Sequence, residues 1–186
     1  MPVLIAMCGL PFSGKSVLAG ALSRELRFRL LSYDVELYPV HSRRAPANSS
    51  LAAEYDFVQD IARREIGAIL ASGESLIYDD LLLERDHRRK LAAVAQAHWA
   101  ELVLVYLDTP LSVIDERRAA NSRTRARTSV PEGNMRQDIS VFEPPEPASP
   151  GAGSAAVRLD RRSRSHAVPP RNASPRAWVR GRSREQ

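Results

Sequence analysis

The chain has 186 residues, 44% of them hydrophobic, enough for one domain with a proper core, which excludes a wholly disordered polypeptide. Its net charge of +5 is unevenly spread: residues 161–186 hold eight arginines and one glutamate, whereas residues 1–160 hold 19 basic and 21 acidic residues. The body is therefore close to neutral, which excludes a basic-protein reading of the domain, and the single cysteine, Cys8, excludes an internal disulfide framework and fits a reducing cytoplasm.

Val3–Cys8 (VLIAMC) is continuous apolar sequence, as expected of a strand covered on both faces. It is too short to span a bilayer and lacks a basic leader or a small-residue cleavage site, so no membrane or signal segment is expected here. Directly after it stands GLPFSGKS, Gly9–Ser16, the pattern G-x-x-x-x-G-K-[ST]. Val17, Leu18, Ala21, Leu22 and Leu26 then recur at helical spacing. A short strand is predicted over Leu30–Tyr33, ending at Asp34, followed by a polar, irregular stretch over Tyr38–Ser50. Leu51, Tyr55, Val58, Ala62, Ile66 and Ile69 mark a long amphipathic helix that Ser72–Gly73 stops.

Ser75–Tyr78 reads as the next strand, running into Asp79 and Asp80. Leu91, Val94, Ala95 and His98 give another helix, and Glu101–Asp108 (ELVLVYLD) is the clearest strand of all. An arginine-rich helix begins near Leu111, and Ala155–Asp160 is the last candidate strand. Residues 161–186 have no helical or strand period and are rich in arginine, serine and proline, so they are expected to be a disordered tail behind a domain at 1–160.

Strands alternating with helices imply βαβ units, hence an α/β fold with a mostly parallel, five-stranded sheet between helix layers. Ligands of such sheets bind at the carboxyl ends of the strands. The glycine loop, Asp34, Asp79–Asp80 and Asp108–Thr109 all fall there.

The loop is the most specific signal. Gly9 and Gly14 let the backbone curl around phosphate oxygens, Lys15 can reach the β- and γ-phosphates, and Ser16 can offer its hydroxyl to Mg²⁺. The following helix start adds free N–H groups and partial positive charge. The nucleotide-binding stretch is thus Gly9, Leu10, Pro11, Phe12, Ser13, Gly14, Lys15, Ser16 and Val17, with Phe12 where many such loops carry glycine. No N-K-x-D guanine motif accompanies it, since the two lysines are Lys15 and Lys90, so ATP is the expected nucleotide.

In this order the motifs resemble small P-loop kinases grouped with zeta-toxin, chloramphenicol phosphotransferase and polynucleotide 5′-kinase, the AAA-type ATP-binding proteins. The resemblance runs from Val3 to about Asp160 and rests on GLPFSGKS, LLSYD, LIYDD with Arg88, VYLDTP, the arginine series in ERRAANSRTRAR, and FEPP at Phe142–Pro145. It implies a three-layer P-loop NTPase fold with a helical lid, ATP and Mg²⁺ as cofactors, and transfer of the γ-phosphoryl group to a hydroxyl of a small substrate. It also implies a catalytic base at Asp34, a metal-holding aspartate at Asp79, and lid arginines at Arg118 and Arg123, with Arg127 behind them. FEPP would border the adenine pocket. Family members usually continue with a closing helix, where this chain has its arginine-rich tail; a truncation or a frameshift would account for that. Two other readings stay open: a nucleotide-binding or NTPase module that uses the tail as an arm on nucleic acid, and an inactive ATP-binding remnant. The four histidines show no metal-ligand spacing.

Overall fold

A computed structural model describes residues 1–125, 128–146 and 154–159. Strand β1 (Val3–Cys8) is buried along its whole length and forms the spine of a parallel sheet. Its side chains alternate between two cores: Leu4, Ala6 and Cys8 enter one, Val3, Ile5 and Met7 the other. That alternation explains why the sequence shows an unbroken apolar run with no polar face.

Helix α1 (Lys15–Leu26) covers the second core through Leu18, Ala19, Leu22 and Leu26. Strand β2 (Arg29–Ser32) follows and stops earlier than its apolar content suggests. Tyr33–Leu37 winds into a π-helical turn, with the Tyr38 N–H reaching the Tyr33 carbonyl and the Glu36 carboxylate accepting from the Ser32 N–H at 3.4 Å. The stretch expected to be irregular after Tyr38 instead holds a one-turn helix, α2 (Tyr38–His41), and a 3₁₀ turn at Ser42–Arg44.

Helix α3 (Leu51–Ala71) is capped by the Ser50 side chain, which accepts from the Ala53 N–H at 3.2 Å. Its Val58, Ala62, Ile66, Ile69 and Leu70 pack on the first core. Side chains of this size contribute roughly 1.5–3 kcal/mol each when fully buried. Strand β3 (Leu76–Asp79) leads into α4 (Arg85–Ala97), whose Leu91 and Ala95 join the same core. Strand β4 (Glu101–Leu107) follows, then α5 (Leu111–Thr124) and α6 (Glu132–Val141).

The four strands up to β4 lie in the order β2-β3-β1-β4, and β5 (Ser154–Leu159) runs parallel beside β4. All the pairings are parallel. The chain leaves β1 toward β2 on one side and later crosses to β4 on the other. The crevice outside the carboxyl end of β1 is therefore the switch point of the sheet, where an α/β fold opens to ligands. Arg127 and the 161–186 tail lie outside the described residues.

Candidate phosphate-binding site

The loop between β1 and α1 is shaped by positions only certain residues tolerate. Gly9 has φ of 139°, and a Cβ there would come within 2.9 Å of the Leu107 carbonyl oxygen, so no other residue fits. Gly14 has φ of 108° and sits just ahead of α1. Phe12 also has positive φ, at 61°, a conformation glycine adopts freely and a bulky residue adopts at a cost of about 1–2 kcal/mol. Its ring packs with Leu10, Leu83, Ile114 and Met135, so it caps the loop from the side of α5 and α6.

Lys15 is buried in this loop, and its ammonium donates to the Leu10 carbonyl at 2.9 Å and lies 3.5 Å from Ser13 Oγ. Burial lowers its pKa, opposed first by Asp79, then by Asp80, Cys8 and Asp34. Asp79 is thus the strongest counter-charge to the loop lysine, and it sits at the end of β3 on the face opposite Tyr78. Ser16, on the first turn of α1, is exposed. A hydroxyl at the start of α1 and a carboxylate at the end of β3 suit Mg²⁺, which holds few protein ligands and fills its other positions with phosphate oxygens and water. Among the described residues no cluster of three or more His, Cys, Asp or Glu forms a protein-only metal site.

Asp80 has a different task. Its Oδ2 accepts from Tyr55 OH at 2.8 Å, Gln59 Nε2 at 2.5 Å and Tyr78 OH at 3.4 Å. Burial raises its carboxyl, with Asp34 adding to the rise, while the Leu81 N–H and then Tyr55 and Gln59 pull it back down. It pins α3 to the end of β3 and leaves Asp79 facing the loop.

Asp34 lies on the π-helical turn after β2. Its side is open to solvent, yet the cleft crowds enough protein around the carboxyl for burial to raise its pKa, against the opposing pull of Lys15. The two groups therefore share one electrostatic site. A π-turn at such a place is common in functional regions.

The arginines of α5 divide by position. Arg117 Nη1 donates to the Phe12 carbonyl at 2.8 Å and the Ser13 carbonyl at 2.7 Å, and Thr109 Oγ1 donates to the same Ser13 carbonyl at 3.1 Å. Arg118 instead pairs with Glu132 of α6 at 2.7 Å, bracing α5 against α6. Arg123 is exposed on the last turn of α5. Sequence reasoning ranks Arg117 behind Arg118 and Arg123 in the same charged run, and only packing reveals that Arg117 is the one facing the loop.

Arg88 joins the loop after β3 to the FEPP segment, donating to the carbonyls of Leu82 at 2.8 Å, Leu83 at 2.6 Å and Glu143 at 2.7 Å. Phe142 of that segment lies 5.7 Å, ring to ring, from Tyr106. Together with Leu10 and Asp108–Leu111 these two rings line a cavity of about 280 Å³. It opens beside the loop rather than over Lys15. On α6, burial pushes the half-buried Asp138 carboxyl up to about 6, with Lys15 lowering it and Asp34 raising it.

The AAA domain family matches residues 4–145. Among solved structures the chain is similar to a sugar kinase from Janibacter sp. HTCC2649, with TM-score 0.62 and 19% identity over 87% of each chain. It is similar to a gluconokinase from Sinorhizobium meliloti 1021, with TM-score 0.57 and 22% identity over 96% of this chain and 87% of that one. It is also similar to the Mycobacterium tuberculosis APS kinase in complex with AMPPNP and APS, with TM-score 0.59 and 21% identity over 86% and 88% of the two chains. At these identities the likeness concerns the fold, an α/β P-loop NTPase-like sheet with its helices. No curated protein matches the chain. No helix among the described residues is long and apolar enough to cross a membrane.

Proposed function

Because this chain belongs to the AAA domain family, we propose that it is an ATP-dependent kinase acting on a hydroxyl of a small molecule. Within that family the motif order favours the zeta-toxin, chloramphenicol phosphotransferase and polynucleotide 5′-kinase group. One observation carries the reading: the buried ammonium of Lys15 shares its electrostatic site with Asp79 at the end of β3 and Asp34 on the π-helical turn after β2. A cation for the terminal phosphate, a carboxylate for the metal and a carboxylate for the acceptor are the parts phosphoryl transfer requires.

In this mechanism the loop from Gly9 to Val17 wraps the phosphates, and Lys15 neutralises the β- and γ-oxygens. Ser16 and Asp79 would hold Mg²⁺, which supplies charge neutralisation across the β- and γ-phosphates. Asp34 accepts the proton of the acceptor hydroxyl as the acceptor oxygen bonds to the γ-phosphorus. The bond from that phosphorus to the β–γ bridging oxygen breaks, and ADP leaves with its electron pair. Arg117 keeps the loop in shape by donating to the Phe12 and Ser13 carbonyls, and Arg118 reaches the transferring group only by leaving Glu132, whereas Arg123, exposed on the last turn of α5, is the arginine that can swing toward it. The cavity lined by Tyr106, Phe142, Leu10 and the Asp108–Leu111 segment is the proposed place for the adenine ring.

The test is transfer from labelled ATP to a panel of hydroxyl compounds. Lys15→Ala abolishes transfer, and Asp34→Asn lowers kcat far more than nucleotide affinity. Normal turnover by Asp34→Asn would remove that residue from the mechanism. The eight arginines of residues 161–186 favour a second reading, a nucleotide-binding module acting on nucleic acid. Deleting 161–186 separates the two, since a small-molecule kinase keeps its chemistry and a nucleic-acid binder loses affinity and salt dependence.

A further inference from the structure

Among the described residues, Phe12, Arg27, Asn48, Leu82, Trp99 and Arg125 have positive φ without being glycine. Arg27, Trp99 and Arg125 stand just past helix ends, where a left-handed residue commonly stops the helix, and asparagine enters that region readily. Neither reason applies to Phe12, at φ of 61° in the middle of the phosphate loop. A bulky residue there is a true outlier, and such a conformation persists only where its surroundings over-determine it.

The surroundings hold Phe12 from two sides. Its carbonyl accepts from Arg117 Nη1 at 2.8 Å. Its ring packs on a small core separate from the two that flank the sheet, built from the buried Leu10, Leu83, Ile114 and Met135. Leu10 belongs to the loop itself, Leu83 follows β3, Ile114 lies on α5 and Met135 on α6. The ring is thus seated by three elements remote from the loop in sequence. Glycine at this position would meet the backbone requirement with no strain and would have no seat.

We infer that Phe12 is a positioning residue for the nucleotide phosphates: its seated ring fixes the left-handed backbone at the centre of the loop, so the loop is formed before a nucleotide arrives. The inference rests on the nucleotide-binding reading above. Without the ring, a non-glycine residue at position 12 relaxes toward negative φ, and only the fraction of molecules still in the strained conformation binds. Glycine takes up positive φ freely but samples other conformations as well, so it loses less. The loop backbone cradles the α- and β-phosphates, which ATP and ADP share, so both nucleotides report the same loss.

Calorimetric titration of the full chain with Mg·ATP and with Mg·ADP tests this. Phe12→Ala removes the ring but keeps a side chain that resists positive φ, and both nucleotides bind about five- to thirtyfold more weakly. Phe12→Gly removes the ring and the strain together, and both bind only about two- to fivefold more weakly. Phe12→Leu returns an apolar group to the seat and recovers affinity to within about threefold of wild type. Phe12 is only partly buried, and a thermal melt of each variant fixes a titration temperature below its transition, so folded protein alone is compared. The inference is overturned if Phe12→Ala binds as tightly as wild type or tighter, since the ring would then be dispensable or an obstruction. It is overturned also if Phe12→Gly loses as much as Phe12→Ala or more, or if Phe12→Leu recovers nothing. A change confined to Mg·ATP overturns it too, because the ring would then act on the terminal phosphate. If the wild-type chain, confirmed folded, binds no Mg·ATP at millimolar concentration, the proposed function itself fails, an outcome distinct from all of these.

Discussion

Replacing Asp80 by alanine is the sharpest test of how the two adjacent aspartates divide their work. In the wild-type protein Asp80 Oδ2 accepts from Tyr55 OH at 2.8 Å and Gln59 Nε2 at 2.5 Å, with a longer contact from Tyr78 OH at 3.4 Å. Tyr78 OH has a second partner, Gln59 Oε1 at 3.2 Å, so alanine strands chiefly the Tyr55 and Gln59 donors. Each buried donor left without an acceptor costs about 1–3 kcal/mol. Removal of a buried carboxylate returns part of that, because burial already works against its charge. The net expectation is a loss of about 2–4 kcal/mol, a large share of a typical domain stability of about 5–15 kcal/mol. For a domain of this size the melting temperature falls by roughly 5–15 °C.

Asp80→Asn keeps an acceptor oxygen in place and stays within about 1 kcal/mol of wild type. Circular dichroism melts and urea titrations of the two variants, beside Asp79→Asn, read the difference. Asp79→Asn removes the leading counter-charge of the buried Lys15 ammonium and is expected to weaken magnesium-dependent nucleotide binding far more than Asp80→Asn does. If Asp80→Ala melts with wild-type stability but loses that binding, the assignments are reversed and the reasoning from the hydrogen-bond network is wrong.

Gly9→Ala places a methyl group 2.9 Å from the Leu107 carbonyl at a φ of 139° and is expected to cost about 2 kcal/mol or more, measurable as a drop in urea midpoint. Arg117→Ala removes two charge-assisted hydrogen bonds from the loop and should weaken Mg·ATP binding about five- to thirtyfold, with Arg117→Lys restoring part of it, as titration calorimetry will measure. Burial pushes the Cys8 thiol up to about 11, so it stays protonated and inert toward a thiol-specific chromogenic disulfide at pH 8 until denaturant unfolds the chain. Rapid reaction of native protein at pH 8 would contradict that placement.

Much of the site was legible before any tertiary contact was known. GLPFSGKS is a contiguous motif, and its chemistry depends on backbone conformations that two glycines alone permit, so local sequence carries it. The strand ends that supply Asp34 and Asp79 could be read because apolar runs stop where a parallel sheet meets solvent. Boundaries were harder: Tyr33 continues the apolar pattern of β2, yet its backbone already belongs to the π-helical turn. Helix α6 gave no clear periodic signal, since Ile139 and Val141 face solvent while Asp138 faces inward.

The sequence by itself determined the phosphate loop, the alternation of strands and helices around it, and the set of carboxylates at the strand ends. Those features follow from short-range rules, namely the side-chain period, glycine's freedom at positive φ and the spacing of lysine and hydroxyl. Only the tertiary structure decided which aspartate clamps α3 and which faces Lys15, which of two neighbouring arginines holds the loop, and that the Phe12 ring packs outward against α5 and α6. Each of those outcomes depends on partners distant in the chain, such as Arg117 on Ser13 across 104 residues, and on which helix face packing turns inward. Residue type and spacing are the same for either choice, so the packed core alone selects between them.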